Sequence, residues 1–349
     1  MSRDIYLLDC TLRDGGLALE GGNKEVSGYT DKTRKFIARN LTDSFVDIVE
    51  LGSLEIGEGD KSSFAIFHDM YQLSRMISKS TQNNQMYAAF FKGPDIPLEC
   101  LPDWNEKLCR LIRLGVRYSE LEKSLDYCKG LCEKGYLVSV QPIVTMRYTN
   151  EDLNKVIKAA NEMNAYSVYF VDSYGSMYTD DVARLFEKYD KELCPHIKIG
   201  FHAHNNMGLA ASNVMDMLSI NSKRDVIIDA CCLGMGQGAG NLQTESIVPY
   251  LNKKHNKNYD FIKILKVCEC IAEFWEDNLW GYSVTAMIPA VYGAAYKYGI
   301  VLRNQYHYPY DIIANILQTI PEEMKYRYTE NNLKELLKRV DNEAYTIFG

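Results

Sequence analysis

Short runs of β-branched, aromatic and aliphatic residues recur along the chain, each followed by a longer, more polar stretch whose apolar positions fall at helical spacing. Eight such runs can be counted, at 5–12, 46–53, 86–92, 111–118, 137–146, 167–173, 197–205 and 226–233. The stretches between them predict helices at 31–41, 104–114, 119–134, 149–163, 179–189 and 209–219. Several open on a capping residue: Thr149 has Asp152 three positions on, and Thr179 is followed by an acidic pair. Eight βα units in a row, without the pause that marks a doubly wound open sheet, predict an α/β fold closed into a (β/α)8 TIM barrel. After about residue 245 the strand signals stop, and helices are expected at 261–274, 286–298, 310–316 and 331–340. We therefore read a barrel over 1–250 and a C-terminal helical extension over 251–349, which closes the barrel mouth or makes an oligomer contact.

Composition narrows the partners. A hydrophobic fraction of 46% and a charged fraction of 24% over 349 residues describe a chain with a sizeable core. A net charge of −7 without a cluster of Lys and Arg argues against nucleic-acid binding, which draws on such clusters to displace counterions. No apolar stretch approaches membrane-spanning length, and the start, MSRDIYLLDC, is too charged for a signal peptide. The expectation is a cytoplasmic protein with no membrane contact. Its ten cysteines lack paired C-x2-C spacing and read as buried small hydrophobes in reduced form.

In such a barrel the chemistry stands at the C-terminal ends of the strands. Strand one is expected to run out through Asp9, Arg13, Asp14 and Gly16, strand two through Glu50 and Ser53, and strand six through Asp172 and Ser173. Strand seven runs out through His202 and His204. Residues two apart on a strand share a face, so both imidazoles aim into the mouth, where they suit a transition or zinc-like divalent ion. The alternative is a pair of hydrogen-bonded core histidines. A carboxylate from Asp14 would complete a facial ligand set with positions open for substrate oxygens. Arg13 and Glu50 either satisfy one another as a buried pair or, held so, offer guanidinium donors to an oxygen that turns negative in an enolate. The stretch 234–241 is rich in glycine and contains a G-x-G-x-x-A match. It follows the last strand, with no acidic partner at a second strand end, so a dinucleotide site is not expected. Its amides line the site or hold an anion, and Asn241 can turn its amide oxygen to a metal or a ligand.

Leu12-Arg13-Asp14-Gly15, His202-x-His204-Asn205 and Gly238-x-Gly240-Asn241-x-x-Thr244-Glu245 resemble the motifs of the DRE-TIM metallolyases, in order, over residues 4–250. That superfamily includes hydroxymethylglutaryl-CoA lyase, 4-hydroxy-2-oxovalerate aldolase, isopropylmalate synthase and the transcarboxylase barrels. The resemblance implies a divalent metal ion, Mn2+ or Mg2+ first and Zn2+ or Co2+ next, held by Asp14, His202 and His204 with Asn241 in or near the shell. It implies Arg13 as the enolate stabiliser. The segment 172–177 is most similar to the hydroxy-oxovalerate aldolases, which implies substrate contact by Ser173. Ala290-Val291-Tyr292 resembles their later tyrosine segment and makes Tyr292 a candidate acid or base. Gln141 and Arg147, at the end of strand five, either hold a substrate carboxylate or hydroxyl or are residues of the rim.

The departures carry information too. Gly16-Leu17 stands where the synthases carry Glu-Gln, and Val171 where the transcarboxylases carry a modified lysine. Leu17 also replaces the histidine that the aldolases place four residues after the arginine, leaving Tyr292, a water on the metal or His307 to do its work. The reading is a metal-dependent aldolase or lyase acting on a 2-oxo acid and an aldehyde or acyl partner, as a homo-oligomer, with an aldehyde dehydrogenase as a conceivable companion. Alternatives are an acyl-transferring synthase of the Claisen type, a Schiff-base aldolase using Lys92, and a catalytically idle barrel serving as a partner subunit. The loops at 17–30 and 57–63 are where the second substrate would be selected.

Overall fold

The computed structural model describes residues 3–21, 28–57, 59–78, 85–276 and 280–347. Nine parallel strands form one sheet: β1 (Ile5–Asp9), β2 (Ile48–Leu54), β3 (Ile66–Phe67), β4 (Met86–Lys92), β5 (Leu111–Val116), β6 (Leu137–Pro142), β7 (Ser167–Asp172), β8 (Lys198–Ala203) and β9 (Val226–Ala230). β1 pairs with both β2 and β9, so eight strands close into a ring, and the two-residue β3 rides on the end of β2. Most of these strands are buried along their whole length, as parallel strands covered by helices must be.

The helices between them follow the expected pattern at most positions. The helix Asp31–Asp43 is capped by Thr30, whose side chain accepts from Thr33 N at 3.0 Å. The helix Asn150–Glu162 carries the anticipated capping box between Thr149 and Asp152. The next cap differs from expectation: Asp181 accepts from the backbone of Tyr178, so the helix Thr179–Glu192 begins after Tyr178 and Thr179 lies inside it.

Three expectations fail more substantially. No helix occupies 104–114; an irregular segment leads directly into β5, because Pro94, Pro97 and Pro102 break the approach and residues 111–116 are needed to close the barrel wall. Strand one stops at Asp9, and Thr11–Glu20 is a helix, so Arg13, Asp14 and Leu17 project from helical turns and part of the anticipated 17–30 loop is helix. Residues 22–27 of that loop, and 58 of the second one, lie outside the described residues. The helix expected at 286–298 is two, Val284–Val291 and Lys297–Asn304, parted at Gly293, whose φ of +65° no helix continues.

The helix Thr11–Glu20 sits close against backbone. A Cβ on Gly16 would collide with the carbonyl oxygen of Phe64, on the neighbouring 62–64 turn. Gly16→Ala is therefore expected to lower stability by about 1–3 kcal/mol and to displace Arg13 and Asp14 along with their helix. Thermal melting and Mn2+ titration of the variant check both effects.

The barrel's hydrophobic core extends past Thr244–His255 and Phe261–Glu276 to Trp280. A second cluster runs from Ile288 to Leu336 and holds together Tyr298, Ile313, Leu317 and Leu333. The division at 250 thus falls inside a helix, and the separate core of the extension begins some forty residues later in sequence. Among the described residues no helix is long and apolar enough to cross a membrane.

Candidate active site at the barrel mouth

A cavity of 290 Å³ opens at the C-terminal ends of the strands. Arg13, Asp14, His202 and His204 line it from the barrel, and Tyr296 and Tyr326 from the extension. The extension therefore contributes part of the wall of the mouth. Tyr174 fastens it by donating to the carbonyl of Tyr326 at 2.6 Å, and Tyr296 by donating to Gln237 Oε1 at 3.3 Å.

His202 and His204 have their Nδ1 atoms taken: that of His202 lies 2.8 Å from Asp229 Oδ2, that of His204 3.0 Å from the carbonyl of Asp172. Donation from Nδ1 leaves Nε2 as the lone-pair nitrogen of each ring, the arrangement that metal-binding histidines need. Ligand atoms of Asp14, His202 and His204 lie within 4.8 Å of one another, and His202 Nε2 is 3.3 Å from Asp14 Oδ2. Burial, with His202 beside it, pushes His204 down to about 4, so its ring is neutral. Burial opposes charge on Asp14 too, but Arg13 and His202 outweigh it and hold the carboxyl well below the ordinary carboxylate range. His202 is raised, because its hydrogen bonds to Asp14 and Asp229 outweigh burial. A divalent cation among the three side chains would take the place of that proton.

These residues belong to a closed ring of buried charge. Arg13 donates from Nη1 to Asp14 Oδ1 at 2.6 Å and from Nε to Glu50 Oε2 at 2.7 Å. Glu50 Oε1 stands 2.8 Å from Arg113 Nη1, an ion pair without the alignment of a hydrogen bond. Arg113 Nη2 pairs with Asp229, and Asp229 returns the circuit to His202. Gln141, with its amide oxygen turned to Arg113, accepts from Nε and Nη2 at 2.7 Å each, and Tyr169 donates to Asp229 Oδ1 at 3.0 Å. Two guanidinium groups against three carboxylates leave one negative charge when His202 is neutral. Such a site favours a cation.

Arg113 and Asp229 escaped the sequence reading. The signal was present: each is the one charged residue inside an otherwise apolar strand, LIRLGV and VIIDA, and a charge buried there requires a partner. Arg13 and Glu50 do form a pair, and Arg13 Nη2 is left over, with no partner among the described residues.

Asn241 is buried and donates from Nδ2 to Asp14 Oδ2 at 2.8 Å and to the carbonyl of Met235 at 2.9 Å, while its Oδ1 has no partner among the described residues. The glycine loop that presents it is folded on itself, with Gly240 at φ +80° against the carbonyl of Gly234. Gln237 of this loop lines the mouth, and three of the loop's amides are already engaged within the protein. The amides of Ala239, Gly240 and Asn241 are spent on Asn206 Oδ1, the Gln237 carbonyl and the Gly234 carbonyl.

The remaining candidates are spread more widely. Ser173 lines the mouth and accepts from Val144 N at 2.9 Å, and Gln141 lines it as well. Arg147 lies at the rim, its guanidinium over the rings of Tyr118 and Tyr326 at 4.3 and 5.1 Å. Tyr292 packs on the extension's own core and is absent from the residues lining the cavity; Tyr296, four residues on, does line it, as do Tyr174 and Tyr326. His307 lines a separate surface depression with Arg303 and Asn304. Leu17 lines the mouth one helical turn after Arg13, and Lys92 lines it while remaining exposed, unlike the desolvated lysine of a Schiff-base enzyme.

Residues 113–271 match the HMGL-like family model. The chain is 27% identical over 274 residues to a 4-hydroxy-2-oxovalerate aldolase of Geobacillus genomosp. 3, covering 77% of each. It is 25% identical over 253 residues to an oxaloacetate decarboxylase of Mycobacterium tuberculosis, covering 72% of this chain and 71% of that one. In fold it is similar to the N-terminal domain of a putative aldolase from Bacteroides vulgatus, with a TM-score of 0.71, 24% identity, and coverage of 89% and 99%. The HMG-CoA lyase of Bacillus subtilis superposes with a TM-score of 0.61 at 19% identity, over 79% and 94% of the two chains. The chain thus carries an HMGL-like domain, of the DRE-TIM superfamily, over residues 113–271, and with aldolase and decarboxylase relatives it is an enzyme of the carbon–carbon lyase kind.

Proposed function

We propose that this protein is a divalent-metal-dependent aldolase or lyase that makes or breaks a carbon–carbon bond in a 2-oxo acid through an enolate. The observation that carries the reading is the pair of histidines turned Nε2-outward beside Asp14, with Arg13 lining the same cavity and its Nη2 without a partner among the described residues. Asp14, His202 and His204 would hold the ion, and the unpartnered Oδ1 of Asn241 fits a place in or beside the shell. Bound there, a divalent ion supplies a Lewis acid for the adjacent carbonyl and carboxylate oxygens of the substrate. Imidazole nitrogen and carboxylate oxygen donors, with positions left open, suit Mn2+ or Mg2+ as well as Zn2+ and Co2+.

The chain's own residues do the rest. Glu50 and Asp14 hold the guanidinium of Arg13 in one orientation, so Nη2 is positioned for an oxygen that gains negative charge as the bond breaks. Ser173 and Gln141 reach the cavity wall, where they can orient the substrate. Tyr296 stands where a proton can be delivered, and burial with Asp14 nearby raises its hydroxyl above the ordinary value, keeping it protonated as an acid.

One observation favours a decarboxylating variant of the same chemistry. Retro-aldol cleavage requires removal of a hydroxyl proton, and Leu17 supplies no base. Loss of a carboxylate from C3 requires none: the electron pair of the breaking bond passes into the enolate, carbon dioxide leaves, and an acid such as Tyr296 then protonates C3. Assays with oxaloacetate and with 4-hydroxy-2-oxo acids compare the two variants. Exhaustive chelation is expected to reduce either activity to background, with recovery on adding Mn2+ or Mg2+. Activity that survives chelation, or a borohydride-trapped adduct of pyruvate on Lys92, would contradict the reading.

A further inference from the structure

The wall of the mouth opposite the histidines carries a charge that this chemistry leaves unused. Lys92 ends β4, the third strand of the ring, whereas His202 is on β8, the seventh, so the two face one another across the cavity that both line. Arg13 spans the space between them. Its guanidinium is paired with Asp14 on one side and lies 4.5 Å from the ring centroid of Phe90 on the other, two residues before Lys92 on the same face of the strand. Leu17, Ile143 and Val144 make the intervening surface apolar.

The ammonium of Lys92 makes no hydrogen bond or ion pair among the described residues. Asp95, the acid close enough to feel its charge, is engaged on both oxygens by Arg117, with Nη1 at 2.7 Å from Oδ1. Arg117 is held in turn by Glu120 at 2.7 Å. Every other charged group lining the cavity is in the ring or is a proposed metal ligand.

We propose that Lys92 binds a second carboxylate at the end of the substrate remote from the metal ligands, and that the substrate is accordingly a 2-oxo acid dianion. This rests on the lyase reading. The charges agree with it. A divalent ion turns the ring's single negative charge into a single positive one, and Lys92 adds another at the far wall, so a dianion neutralises both ends while a monoanion such as pyruvate leaves Lys92 unmatched.

Calorimetric titration of the full-length, Mn2+-loaded protein with pyruvate, 2-oxobutyrate, oxaloacetate and 2-oxoglutarate tests the assignment. At least one dianion is expected to bind roughly tenfold more tightly than the monoanions, as one charge-assisted hydrogen bond allows. Lys92→Gln is expected to bring that preference down to about twofold or less, and Lys92→Arg to retain it, because the charge and not the amine is what is read. Equal binding of monoanions and dianions by the native protein, or a preference that persists in Lys92→Gln, overturns the role of Lys92 and leaves the lyase reading standing. If none of the four acids binds the Mn2+-loaded protein, the lyase reading itself fails, and the assignment of Lys92 falls with it.

Discussion

Replacing Arg113 with methionine is expected to destabilise the protein by about 3–5 kcal/mol, enough to remove much of the stability of an ordinary domain. Arg113 is fully buried, and its guanidinium is the shared partner of Glu50 and Asp229, which are also buried. Removing it leaves two carboxylates facing one another in a low-dielectric interior, and the cost is that of uncompensated charge more than of lost attraction. Asp229 also holds His202 in the tautomer that turns Nε2 to the cavity, so Mn2+ affinity should fall along with stability. Denaturant unfolding and Mn2+ titration measure the two effects. A variant within about 1 kcal/mol of the native protein would show that the ring does not act as a unit. The double variant Arg113→Met/Asp229→Asn is expected to recover part of the loss, since neighbours in one network do not add.

Arg13→Lys is expected to lower kcat by about 10²–10³-fold while the protein stays folded. Lysine keeps a positive charge beside Glu50 and Asp14, so the ring remains neutralised to the same degree. It cannot donate to both carboxylates and still present a third N–H at a fixed position, which the planar guanidinium does with Nε, Nη1 and Nη2. Because that third donor meets charge that develops only as the bond breaks, KM should move much less than kcat. Steady-state kinetics of the metal-loaded variant on its best 2-oxo acid separates the two. If kcat stays within about threefold, less than the loss of one positioned donor costs, Arg13 is a structural partner of Glu50 and the oxygen is stabilised elsewhere.

The two substitutions probe the same ring from opposite sides. Arg113 faces Gln141, Tyr169 and the barrel interior, so its loss is read mainly as stability. Arg13 faces the cavity, so its loss is read as rate. On the proposed reading, a single network thus serves both to tolerate charge in the core and to hold the donor Arg13 still.

Local pattern along the chain determined the eight barrel strands, most of the helices between them and the turn to helices after the barrel, because hydrophobic periodicity and caps act within a few residues of one another. It also put His202 and His204 on one face, since residues two apart on a strand share a face whatever surrounds them, whereas Asp14, read at a strand end, stands on a helix that brings it to within 4.8 Å of them. The start of the helix at Thr11 was illegible: its buried face packs on the turn at 62–64, some fifty residues away, and Gly15-Gly16 signals a loop when that contact is unseen. Only the tertiary structure decided that Arg113 and Asp229 close a ring with Arg13 and Glu50, that Tyr296 and not Tyr292 reaches the mouth, and that Lys92 faces the histidines. Each of these depends on where barrel closure brings strands from distant parts of the chain, and a charged side chain's partner is set by three-dimensional proximity, which sequence spacing does not encode.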